Sequence, residues 1–346
     1  MERETAGEKD LRNRIYWLNA VFSILVIWVH SFNAELFLGV GEEAAFVQRV
    51  EMVLGQQLGQ IAVPGFFMIS SFLFYRNFSW SCLGAKWKSR IKSVLIPYLL
   101  WNFLYYAAYA AASRLPAAAA LLGKDPVPVT AGELARALIL YAYNPVFWYL
   151  YQLILLIALA PLLYGVLKNV WSGGAVLALI LLAIWKNWNF PHLNMDALFY
   201  YSAAAYWTLH TKKEGEGRRT VRTVLLLLGG LGLYLEGRPG SRIYMTPFYT
   251  VMLRFWGVCA VCFFAELLPL PRAREWMKHS FFLYAIHFAW VRLINKGAAL
   301  LLPAVLQAAL GTFFLMPFFM VMISMILRKV MQAAVPGIYC VLSGGR

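Results

Sequence analysis

Residues 15–33 read IYWLNAVFSILVIWVHSFN, and this stretch decides the fold. It is long and apolar enough to cross a bilayer as a helix, because the hydrocarbon core takes about 20 residues. Its one histidine, His30, lies about 22 Å from Ile15 at about 1.5 Å per residue, in the far half of the span. Residues 1–14 are mixed-charge and polar, and no small-residue cleavage site follows the apolar run. They therefore read as a short cytoplasmic N-terminal segment and not as a signal peptide.

Similar apolar runs lie near 57–75, 93–113, 147–167, 173–188, 197–211, 221–236, 247–268, 280–300 and 304–327. With the first they make ten candidate spans, of which the fifth, sixth and seventh are short. None has the period-two alternation of barrel strands, so the fold is expected to be all-α: a polytopic membrane helix bundle of about ten transmembrane helices. Composition agrees. The 346 residues are 61% hydrophobic and 14% charged, whereas roughly a quarter of a soluble domain is charged. The same deficit excludes a sizeable soluble domain.

The net charge of +15 would raise the question of nucleic acid in a soluble protein. Here the cations fall in segments between apolar runs and read as topology signals, so no nucleic-acid partner is expected. Arg76, Lys86, Lys88, Arg90 and Lys92 lie in 76–92. Lys212, Lys213, Arg218, Arg219 and Arg222 lie in 212–222, and Arg272, Arg274 and Lys278 in 269–279. Arg328 and Lys329 close the last run. These alternate segments read as cytoplasmic. The segment 34–56, with Glu35, Glu42, Glu43 and Glu51 against Arg49, reads as external. Both termini then face the cytoplasm. The expected organisation is 1–14, a membrane domain 15–331, and a cytoplasmic tail 332–346. Residues 114–146 form a long external loop punctuated by Pro116, Pro126, Pro128 and Gly132, with a short amphipathic helix at 131–142.

Polar groups inside spans are costly and mark candidate sites. His30 is the first; an imidazole titrates near neutral pH and can take a hydroxyl proton. Tyr284 and His287, three apart, share a helix face. Arg254 and Arg292 lie deep in their runs, and Lys296 lies beyond Arg292. They could line a watery cavity, pair with an anionic ligand or, for Lys296, snorkel. Pro64-Gly65 should bend or open the second span, ahead of Ser70-Ser71, which could be packing residues or part of a site. The basic loop from Lys86 to Lys92 could attract donor phosphates or only set topology. Cys259 and Cys262 have no nearby His or Cys in sequence, so they read as small apolar residues and no metal site is expected.

In order along the chain, five pieces resemble the acyltransferase-3 family of membrane acyltransferases. They are the helix from Arg14 to His30; Val63-Pro64-Gly65-Phe66-Phe67-Met68-Ile69-Ser70-Ser71-Phe72-Leu73; Arg90-Ile91-Lys92 running into Pro97-Tyr98 and Trp101; Phe147-Trp148-Tyr149-Leu150; and Ser280 to His287. The resemblance implies a ten-helix domain that moves an acyl group, commonly acetyl, from cytoplasmic acyl-coenzyme A to a hydroxyl of a cell-envelope glycan. The lipid bilayer, the donor and the glycan are then the partners, and the inner membrane is the location. Acyl-coenzyme A, acetyl-coenzyme A first, enters as donor substrate and not as a resident cofactor.

The resemblance assigns His30 as catalytic, and Lys86, Lys88, Arg90 and Lys92 to the coenzyme. Asn19, Ser70, Trp148, Arg254, Tyr284, His287 and Arg292 are assigned to the substrate cavity. Two positions depart from the pattern. Asn19 stands where the family has arginine, a loss Arg12 or Arg14 could offset, and Ser71 stands where it has glycine. An alternative reading is a transporter, with Arg254, Arg292 and His287 forming a site for a small polar solute.

Overall fold

The computed structural model describes residues 6–116, 125–211, 216–237, 242 and 245–345. Lys212, Lys213 and the alanine run 117–120 lie outside the described residues, as do the side chains of Arg218, Arg219 and Arg222. Regular structure among the described residues is helical, apart from one isolated bridge between Phe190 and Leu193.

The chain divides into two compact units. The first comprises Met1–Phe78 and Pro161–Leu327, the second Ser79–Ala160 and Arg328–Arg346. In the first unit the helices run α1 (Ala6–His30), α2 (Ala34–Leu38), α3 (Glu42–Glu51) and α4 (Ala62–Tyr75). The second unit holds α5 (Leu83–Arg90), α6 (Ile96–Ala112), α7 (Ala131–Leu140) and α8 (Trp148–Ala158). The chain continues with α9 (Ala160–Leu167), α10 (Val170–Trp185), α11 (Met195–Thr211) and α12 (Glu216–Glu236). The remaining helices are α13 (Pro247–Leu267), the single turn α14 (Glu275–Lys278), α15 (Ser280–Leu301), α16 (Leu306–Ala334) and α17 (Pro336–Leu342).

Helices cover each of the ten apolar runs. Among the described residues, length and apolarity together qualify five stretches to cross a membrane: Ala6–Leu38, Glu42–Tyr75, Trp80–Ala112, Pro247–Leu267 and Leu306–Ala334. The pair Ala131–Leu140 and Pro145–Ala158, bent by 53°, makes a sixth if it counts as one broken span. α10 is apolar but only 16 residues long. α15 has 22 residues but carries Arg292 and Lys296. The chain is thus a multi-pass helical membrane protein.

In the first unit, α1 packs on α4, α13 and α15. Phe22 and Val26 of α1 meet Ala62 and Ile69 of α4 and Val258 of α13 in one apolar core. Gly65 permits the α1–α4 approach, because a Cβ there would sit 2.3 Å from the Phe22 ring. α4 also packs closely on α11, and the Ser71 hydroxyl donates to the Tyr201 carbonyl at 2.6 Å across that contact. Serine in place of the family glycine is therefore a packing residue. Cys262 packs against the Phe22 core, and Cys259 and Cys262 are both free thiols, in keeping with small apolar residues.

In the second unit α6 packs on α7 through Tyr106, Ala110, Val127 and Ala137. The Thr130 hydroxyl accepts from Glu133 N at the start of α7, which gives the expected short helix a defined N-terminus.

Several expectations are corrected. α1 begins at Ala6, not near Ile15, because residues 6–14 have good helix formers and are pinned to the 265–273 segment. There Asn13 exchanges bonds with Pro271 O and Ala273 N, and Trp17 Nε1 donates to Pro271 O. Segment 34–56 is helical, through α2, α3 and a wide π-type turn over Met52–Leu58. The helical irregularity lies ahead of Pro64, as expected where a proline cannot donate back along the helix. The basic stretch 86–92 is helix, not loop: it forms α5 and enters the wide turn Ile91–Leu95. In the tail, α16 extends to Ala334. α17 then packs on α6, where Trp101 Nε1 donates to Leu342 O at 2.9 Å.

Candidate functional site

His30 is the last residue of α1. Its ring centroid lies 5.2 Å from that of His287, with the planes at 45°, and 5.4 Å from the Phe288 ring. α15 delivers both partners, because α1 and α15 pack against each other. The Tyr284 ring lies 5.6 Å from His287 and 6.5 Å from Phe66 of α4, closing the group from below.

His287 is 1% exposed. Its Nδ1 is 2.5 Å from the Tyr284 carbonyl. A carbonyl only accepts, so Nδ1 carries the proton and Nε2 is left with its lone pair. Nε2 has no hydrogen-bond partner among the described residues. Buried polar atoms without partners are rare and point to an occupant. Three more lie on residues of this region: Trp28 Nε1, Asn33 Oδ1 and Asn295 Oδ1.

The helix is interrupted directly after His30. Asn33 N and Ala34 N would reach the carbonyls of Val29 and His30 in an unbroken helix. They go instead to Glu51 Oε1, at 2.6 and 3.3 Å. The carbonyls of Ser31 and Phe32 accept from Asn295 Nδ2 at 3.2 and 3.3 Å. The Asn33 side chain donates to Ala309 O of α16 at 3.1 Å. Glu51 and Asn295 were not anticipated as site residues. Glu51, one of the charges of segment 34–56, is 1% exposed. Asn295 follows His287 and Val291 at helical spacing, all three buried, which is the signal that could have found it.

The other expected residues separate. Asn19 is half-buried and lies on the His30 face of α1, about 16 Å down the helix. Arg14, which could offset the missing arginine, is bound to Asp10 at 2.8 Å and to Ala265 O at 2.6 Å. Ser70 is half-buried on α4. Arg254 is half-buried on α13, the helix whose Val251 carbonyl accepts from the Tyr200 hydroxyl of α11 at 3.2 Å. Arg292 is exposed, with its guanidinium 5.5 Å from the Phe288 ring that touches His30. Arg292 is therefore not buried with His287.

Trp148 opens α8 in the second unit. In that unit the four basic residues split by helical geometry, since residues two apart point to nearly opposite sides. Lys86 and Arg90 are half-buried, while Lys88 and Lys92 are exposed. No group of three or more His, Cys, Asp or Glu side chains converges as a metal site among the described residues.

An apolar multi-helix protein with a histidine pair at a broken helix defines a polytopic membrane protein with a buried polar site. The chain belongs to the acyltransferase-3 family: its acyltransferase domain matches residues 13–328. Over 173 residues it is 30% identical to the succinoglycan biosynthesis protein ExoH of Rhizobium meliloti (strain 1021). That match covers 46% of this chain and 44% of ExoH, so less than half the length of that relative is spanned. No solved structure matches.

Proposed function

We propose that this protein is an inner-membrane acyltransferase. It moves an acyl group, acetyl first among candidates, from cytoplasmic acyl-coenzyme A to a hydroxyl of a cell-envelope glycan. Family membership supports the reaction class, and a relative named for succinoglycan biosynthesis supports a glycan acceptor. The observation that carries the reading is the His30–His287 pair, whose Nε2 lone pair on His287 is buried and without a partner.

In this reading His30 is the general base. It takes the proton of the acceptor hydroxyl as the oxygen attacks the thioester carbonyl carbon. The tetrahedral intermediate then expels the coenzyme thiolate, which takes the proton back from the imidazolium. One C–O bond forms, one C–S bond breaks, and no net proton is lost. His287, held as the Nδ1–H tautomer by Tyr284 O, offers Nε2 to a neighbouring N–H or hydroxyl and so orients the reacting group. Arg292 meets a negative substituent on the acceptor. Lys86, Lys88, Arg90 and Lys92 hold donor phosphates, with Lys86 and Arg90 as the main pair.

Both termini are placed in the cytoplasm by loop charge, with 15–331 as the membrane acyltransferase domain. Asn19, Ser70, Tyr284 and Trp148 are assigned to the substrate path. Arg254 is assigned to the α11–α13 contact and Arg292 is exposed, so solute transport stays the second reading.

The test is transfer of label from radioactive acetyl-coenzyme A to envelope glycans by the purified protein in proteoliposomes. Labelled glycan supports the reading. Flux of a small solute without coenzyme A, and no labelled glycan, would replace it with a transporter.

A further inference from the structure

We infer that Glu51 and Asn295 are positioning residues that hold the first membrane helix open at His30. The inference rests on the acyltransferase reading for its catalytic consequence, but not for its geometry.

An interrupted helix inside a membrane must find partners for every backbone group it frees. Around this break four backbone groups are met by side chains, in two sets. The two N–H groups of Asn33 and Ala34 converge on one carboxylate oxygen of Glu51. The two carbonyls of Ser31 and Phe32 converge on the one amide nitrogen of Asn295. The two side chains come from different helices, α3 and α15, and each is nearly inaccessible, at 1% and 5% exposure.

A buried carboxylate is costly unless charged or polar donors surround it. Two backbone N–H groups supply that here. A continuous helix would need neither residue, since Val29 O and His30 O would take those N–H groups. Removing the clamp should therefore let α1 re-form through residue 34 and rotate or withdraw the imidazole. Because Asn295 sits two turns beyond His287 on the same helix, the clamp also fixes the register of α15 against His30.

The test compares wild type, Glu51→Ala, Glu51→Gln and Asn295→Ala as full-length protein in lipid nanodiscs. The first readout is the rate at which diethyl pyrocarbonate modifies His30, followed by peptide mass spectrometry. It requires no catalysis. The second is steady-state acyl transfer. Glu51→Ala and Asn295→Ala should each change the His30 modification rate several-fold. Each should also lower kcat about 10²-fold with KM little changed, as expected when a reacting group is misplaced by an ångström or so. Glu51→Gln keeps an acceptor oxygen and should retain most of both properties.

If Glu51→Ala does not assemble, Asn295→Ala carries the comparison alone, since it leaves the carboxylate in place. Unchanged His30 reactivity in every assembled variant would overturn the clamp. A wild-type protein that transfers nothing would refute the acyltransferase reading, while the modification rates would still decide the clamp.

Discussion

His287 Nδ1 lies 2.5 Å from the carbonyl of Tyr284, one turn earlier on the same helix, and this contact fixes which nitrogen of the ring is free. The free Nε2 belongs to a ring 5.2 Å from His30. Two histidines on different helices thus meet where α1 stops, and one of them has its tautomer set by the backbone.

From this follows a graded effect at position 287. His287→Ala should lower kcat about 10²-fold, the usual scale for a lost proton-handling or orienting group. His287→Gln, whose amide can still bond the Tyr284 carbonyl and present an oxygen, should lose less. Steady-state kinetics on both variants check the order, and equal losses would deny the orienting role.

Helical geometry divides the basic stretch, and the division is measurable. Lys86 and Arg90 share one half-buried face, Lys88 and Lys92 an exposed one. Lys86→Ala with Arg90→Ala should raise the KM for acyl-coenzyme A more than tenfold. That is about 1.4 kcal/mol or more of lost phosphate contact. Lys88→Ala with Lys92→Ala should change it little, because exposed cations are screened. Donor titrations on the two double variants decide between them.

Packing in the first unit gives a prediction independent of chemistry. Ser71→Gly removes the bond to Tyr201 O and places glycine in a helix. It should cost about 1–2 kcal/mol of stability while leaving transfer intact. Gly65→Ala should cost about 1–3 kcal/mol, because its Cβ would overlap the Phe22 ring. Thermal unfolding in detergent measures both.

The helices themselves were legible in the sequence, because a membrane-spanning run must be apolar and long, and few other patterns compete with it. The pairing of Tyr284 with His287 was legible as a three-residue spacing. What charge concealed was helical continuity. The charges of Lys86 to Lys92 and Glu42 to Glu51 read as connecting segments, yet Lys, Arg and Glu are good helix formers. α1 likewise begins well before its apolar run, at Ala6.

The break after His30 had no local signature. Ser31, Phe32 and Asn33 are held out of the helix by Glu51 and Asn295, which are distant in sequence. The α11–α13 contact beside Arg254, where Tyr200 donates to Val251 O, is likewise made by residues about fifty apart in sequence. Such tertiary partners cannot be read from one helix at a time.

The most direct test of the central claim is transfer of labelled acetyl from acetyl-coenzyme A to envelope glycan by wild type and His30→Ala, side by side in proteoliposomes. The account predicts transfer by wild type and a loss of about 10²–10⁴-fold in the variant at equal protein assembly. Transfer by His30→Ala at the wild-type rate would contradict it.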